Sequence, residues 1–113
     1  MAKPKRRKRP PNPTAEYADE DGNVLTLRCE LSAGTIEKIG EAPASQAASA
    51  DDAWRRREEM LFERLAVSWV IAGLPLDDQK MLLGRYRMAD PEQQRWVRET
   101  ITGHLRRFIP ELA

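Results

Sequence analysis

LAVSWVIAGLPL, residues 65–76, is the longest apolar run in the chain, and its conformation decides the fold. It is about half the ~20 residues a membrane span needs, and Gly73 and Pro75 interrupt it. The run therefore reads as core. Upstream of it, nothing between Asp51 and Ala72 breaks a helix. Trp54, Leu61, Leu65, Trp69 and Ala72 recur at helical steps, with Phe62, Ala66 and Val70 in an adjoining row. Such a helix begins amphipathic among Arg55, Arg56, Arg57, Glu58 and Glu59 and turns apolar on nearly all sides after Leu65. A helix apolar all round is a buried one. The expectation is one long helix over 51–72, stopped by Gly73 and Pro75 and lying at the centre of the core.

Downstream, Asp77 and Asp78 place negative charge where a helix start favours it, which predicts a helix over 77–88 bearing Met81, Leu82, Leu83, Tyr86 and Met88. Asp90-Pro91-Glu92-Gln93 is the strongest local signal: an N-cap, a proline in the first helical position, and Gln93 to complete a capping box. The helix it starts, over 91–108, presents Val97, Ile101, Leu105 and Phe108 on one face, with Trp96 and Ile109 beside it and Pro110 closing it.

Upstream of the long run the periodicity changes to two. Leu25, Leu27 and Cys29 alternate with Val24, Thr26 and Arg28, and Asp21-Gly22 signals a type I′ turn. This predicts a hairpin of 16–20 and 23–30, too small to stand without packing on something. A short helix over 31–40 follows, capped by Ser32 and ended by Gly40. Residues 41–50 read as a flexible linker or a frayed helix entry, and Ser49 with Asp52 resembles a capping box. The expected fold is mainly α: an N-terminal β-hairpin followed by a three-helix bundle-like domain, with a disordered basic tail. The divisions are 1–14 (tail), 15–40 (hairpin and short helix), 41–50 (linker) and 51–113 (helical domain).

The formal net charge of +1 hides an asymmetry, because Lys3, Lys5, Arg6, Arg7, Lys8 and Arg9 crowd into the first ten residues. No apolar stretch follows them, so the start is not expected to be a signal peptide. A single Cys excludes an internal disulfide scaffold. The six cations can displace counterions from a phosphate backbone, and such runs also serve as import signals, solubility devices or clamps on acidic surfaces. No aromatic interleaves them, so base stacking is not provided for.

Catalytic and metal-binding constellations are not expected. One His and one Cys, far apart in sequence, make no zinc site. His104, near the apolar face of the last helix, reads as a packing residue with one satisfied nitrogen; a general-base role is the alternative. Cys29 reads as a small hydrophobe on the strand's apolar face. Glu58, Glu59 and Glu63, mixed with Arg55, Arg56, Arg57 and Arg64, look like a solvated mixed-charge helix face rather than an acid–base pair. Helices 77–88 and 91–108 read as a plain helical hairpin or as a helix-turn-helix, with Gln94, Arg95 and Arg98 then facing a groove. Trp54 and Phe62 stand on the charged half of the long helix. They either cover the core edge or anchor a partner surface.

Three stretches carry a resemblance: EYADEDGNVLTLRCELSAGTIEKI, WRRREEMLFERLAVSWVIAGLP and LLGRYRMADPEQQRWVRETITGHL. Their layout resembles small bacteriophage and prophage tail-assembly proteins, particularly tail assembly chaperones. The resemblance implies a non-enzymatic protein that holds an aggregation-prone tape-measure protein, cytoplasmic or virion-associated. The functional expectation is a protein-interaction protein, without cofactor, metal, membrane or small-molecule substrate. Its partner is another protein or a second copy of itself, bound through Trp54 and Phe62. The alternative is a small nucleic-acid-binding protein that uses the basic tail.

Overall fold

The computed structural model describes residues 13–41 and 50–113. The basic tail (Lys3 to Arg9), the linker and the Ser49–Asp52 cap fall outside the described residues, as does the side chain of Trp54.

The hairpin forms as strands β1 (Thr14–Ala18) and β2 (Val24–Arg28), with Tyr17 opposite Leu25 and Ala15 opposite Leu27. Its turn differs from the expected one. Gly22 has φ +84°, while Asp21 is not in the left-handed region. Gly22 N–H donates to the Asp19 carbonyl, and Asp19 N–H donates to that of Asn23. This is a three-residue loop ending in one left-handed glycine. The Asp19 carboxylate stabilises it by accepting from the backbone of Asp21 and Asn23 and from the Asn23 amide. Helix α1 (Ala33–Glu41) follows, with the Ser32 hydroxyl accepting from Thr35 N–H at its start.

The long helix predicted for 51–72 does not exist as such. Helix α2 (Ala50–Leu65) ends at Leu65, and Ala66–Ile71 is strand β3. Ala72 (φ 52°) and Gly73 (φ 80°) then make a tight two-residue turn into β4 (Leu74–Leu76). The result is a four-stranded antiparallel sheet in the order β1-β2-β3-β4. The fold is therefore α+β, and the expected three-helix bundle after an isolated hairpin is wrong. Three physical reasons account for the break. Val67, Trp69, Val70 and Ile71 are good strand formers. The last carbonyls of α2 find partners outside the helix, Glu63 from the Gln79 amide and Arg64 from the Arg28 guanidinium. Pro75 sits on an edge strand, where a missing N–H is tolerated.

The register of β2 on β3 shifts between Thr26 and Leu27, because Val67 is an extra residue: Leu25 opposes Trp69, yet Leu27 opposes Ala66. This bulge lets Ala66 and Trp69, three positions apart, both bury on one face of the sheet.

Helix α3 (Gln79–Arg87) is capped by Asp78, whose carboxylate accepts from Met81 N–H. Helix α4 (Pro91–Phe108) is capped by Asp90, which accepts from Gln93 N–H at 2.7 Å, as the sequence predicts. A final 3₁₀ turn (Pro110–Leu112) brings Leu112 into the core. The sheet's inner face supplies Leu25, Leu27, Ala66 and Trp69 to that core; the helices supply Phe62, Leu65, Leu82, Val97, Ile101 and Leu105. Phe62 stacks on Tyr86 (centroids 4.9 Å, planes 18° apart) and meets Trp69 edge-on at 5.8 Å. Among the described residues no helix is long and apolar enough to cross a membrane.

Candidate functional site

Helices α2 and α4 pack side by side, and helical spacing decides what lines the seam. Glu58 and Leu61, three apart on α2, face Arg98, Ile101 and Leu105 on α4. Tyr86 of α3 and Leu112 of the terminal turn close the ends. Between them lies a cleft of about 210 Å³ with an apolar floor of Leu61, Ile101, Leu105 and Leu112. A wider polar groove of about 720 Å³ adjoins it and shares Glu58, Tyr86 and Arg98 with it. Arg55, Glu59, Arg87 and Gln94 line the rest of that groove.

The polar groups of the cleft are unequally satisfied. Arg57 donates to the Leu112 carbonyl at 2.8 Å and so ties α2 to the terminal turn. Arg87 and Glu59 form a hydrogen-bonded pair at 2.8 Å on the groove's rim. Arg98 Nε lies 3.2 Å from Glu58 Oε2, close enough for attraction. That oxygen is nevertheless buried with no aligned donor, so it has an ion-pair neighbour but no hydrogen bond. Burial pushes the Glu58 carboxyl above its usual value, against the lowering pull of Arg98 and Arg55. Tyr86 is raised for the same first reason, with Glu58's negative charge adding to it.

A second polar cluster holds the hairpin to α4. His104 is fully buried. Its Nε2 lies 2.7 Å from the Arg28 carbonyl, which can only accept, so Nε2 carries the hydrogen. Nδ1 then accepts from the Tyr17 hydroxyl, also at 2.7 Å. Both ring nitrogens are satisfied, one more than expected. Burial lowers the imidazole's proton affinity, the Arg28 hydrogen bond opposes this, and Arg107 reinforces it. Cys29 is buried, and burial raises its thiol. It has neither the exposure nor the lowered pKa of a reactive thiol.

The site residues expected from sequence are distributed as follows. Phe62 is not a surface anchor: it is fully buried between Trp69 and Tyr86. The helix-turn-helix reading loses two of its three side chains to internal contacts. Gln94 donates to the Tyr86 and Arg87 carbonyls at the end of α3, and Arg98 turns toward Glu58. Only Arg95 of that set is exposed. Glu58 is the residue that the sequence reading missed, because its charged neighbours suggested a solvated face. The signal was present, since Glu58 lies three positions before Leu61 on the apolar side of the helix.

Compared with protein-family models, with curated proteins and with solved structures, the chain matches none of them.

Proposed function

We propose that this chain is a non-enzymatic protein-interaction protein. The observation that carries the reading is where its exposed apolar side chains lie. Among the described residues, three of the four large ones fall between positions 74 and 88: Leu74 (72% exposed), Met81 (59%) and Met88 (84%). Met81 and Met88 are seven apart, two helical turns, and so share one side of α3 and its cap. Exposed apolar side chains on one side of a helix mark interaction surfaces, and methionine adapts to varied partners. The commitment of His104 to two structural hydrogen bonds supports the non-enzymatic part, because neither nitrogen is free to move a substrate's proton. A tail-assembly chaperone is one protein of this kind. That narrower role draws on the three stretches of the resemblance, of which the second, residues 54–75, is helix to Leu65 and strand over Ala66–Ile71.

The test is Met81→Lys with Met88→Lys. Both side chains are exposed, so the double variant should fold normally. Cross-linking mass spectrometry in host extract and light scattering after size exclusion would compare it with the parent. Loss of the parent's specific cross-links or assembly is expected; identical behaviour overturns the reading.

A further inference from the structure

We infer that the open edge of β1 takes the basic arm of a second copy, residues 5–9, as an added strand, and that two copies exchange arms in this way. The surface is separate from the methionines of α3, so the inference goes beyond the reading above and does not rest on it.

Only one edge of the sheet is well open. The Pro13 carbonyl accepts from Cys29 N–H, and Asp19 N–H donates to the Asn23 carbonyl. Odd-numbered residues of β1 therefore turn their main-chain groups toward β2, and those of Thr14, Glu16 and Ala18 face outward. Among the described residues no strand covers that side of β1. A row of unpaired N–H and C=O groups is a template for another strand. The opposite edge is a poorer template, because β4 has three residues and Pro75 at its centre lacks an N–H.

Charge identifies the occupant. Glu16 stands exposed at the middle of β1, with Glu20 and Asp21 exposed at the turn beyond it. Among the described residues the ion pairs are Arg87–Glu59 and Arg98–Glu58, so neither involves these three acids. Lys5, Arg6, Arg7, Lys8 and Arg9 form a run as long as β1. Any register within two residues of full overlap sets one of these cations opposite Glu16, and opposite charges across a strand pair stabilise it. A second β1 in the same place would set Glu16 against Glu16 at full overlap, which is destabilising.

The spacer decides between the chain's own arm and a neighbour's. To lie on its own edge the arm must reverse within Pro10-Pro11-Asn12-Pro13. Tight hairpin loops need a left-handed residue, which proline, fixed at φ of about −65°, cannot supply. Asn12, the one residue left, precedes Pro13 and is thereby biased toward extended backbone. An arm that continues straight from β1 reaches a neighbour's edge instead, and a two-fold axis makes the exchange reciprocal.

The experiment measures the mass of the full chain by sedimentation over a dilution series. The parent is expected as a dimer that added salt weakens. Glu16→Arg, a change at an exposed position, should weaken dimerisation about tenfold, because an attractive cross-strand pair becomes repulsive at both edges. A chain carrying Arg6→Glu, Arg7→Glu and Lys8→Glu should be weakened likewise. Mixing these two variants matches an acidic arm to a basic edge and a basic arm to an acidic one. The mixture should therefore form a heterodimer at concentrations where each variant alone is monomeric. A monomeric parent, a dimer unchanged by Glu16→Arg, or a mixture that stays monomeric overturns the inference. Met81→Lys with Met88→Lys alters neither arm nor edge, so the methionine surface and the arm exchange can fail independently.

Discussion

The hydroxyl of Tyr17 lies 2.7 Å from Nδ1 of His104, across 87 residues of chain, and joins the first strand to the last helix. On its other side His104 holds the Arg28 carbonyl on β2. Two neighbouring strands are thus fastened to α4 through one buried ring. Tyr17→Phe keeps the ring and removes the donor, leaving Nδ1 unpaired inside the protein. The expected loss is about 1–2 kcal/mol in urea unfolding.

The same ring makes stability depend on pH. Burial holds His104 below its ordinary value of 6.5, so the unfolded chain takes up the proton first. Its contribution is complete above pH 6.5 and is lost as pH falls below that, by up to about 1.4 kcal/mol per pH unit. Glu58 works the other way. Its folded value is raised above 4.5, so the folded chain takes up that proton first and stability falls as pH climbs from 4.5 through the raised value. Urea midpoints between pH 5 and 8 should rise with pH near 6.5. His104→Leu, which removes the chain's only histidine, should remove that rise.

Glu58→Gln should raise the melting temperature at pH 7. The charged form is disfavoured by burial more than Arg98 and Arg55 favour it, so a neutral isostere relieves a net penalty. A calorimetric scan showing a fall instead would mean that the Arg98 attraction dominates.

Ala72 holds φ 52° in the turn between β3 and β4, a left-handed conformation that costs a non-glycine residue roughly 1–2 kcal/mol. Its N–H donates to the Asn23 side chain at 3.0 Å, which ties this turn to the one between β1 and β2. Ala72→Asn makes Asn-Gly, the preferred pair for such a turn, and keeps that N–H. Stabilisation by about 0.5–1 kcal/mol is expected from chemical denaturation.

Phe62→Ala should cost about 3–5 kcal/mol, most of the stability of a domain this size, because it empties the space between Trp69 and Tyr86. Circular dichroism in urea would show a lost or greatly weakened cooperative transition. An interface residue would leave that transition where it was.

The contrast between Phe62 and Asp90 shows how far sequence reaches here. Asp90-Pro91 marks a helix start through contacts within one turn, and the structure places the cap where the sequence puts it. The same holds for Ser32 at α1 and for the alternation of Leu25 and Leu27 on β2. Phe62, Ala66 and Trp69 fit a helix equally well by spacing, because the bulge at Val67 lets a strand bury residues three apart on one side. Spacing alone cannot separate a bulged strand from a helix over so short an apolar run. The carbonyls that end α2 are satisfied by Arg28 and Gln79, residues that are remote from it in sequence.

The amino-acid order by itself determined the local events: the caps at Ser32 and Asp90, the helix start near Asp78, the hairpin around Gly22, and the apolar side of α4. Each depends on residues within a few positions of one another, so the information lies in a short window. Only the tertiary structure decided that 66–71 pairs with β2 as a strand, that His104 bridges Tyr17 and Arg28, and that Glu58 Oε2 is buried beside an apolar cleft. Those outcomes depend on partners brought together from distant parts of the chain, and an apolar or charged side chain carries no local record of which partner it will meet.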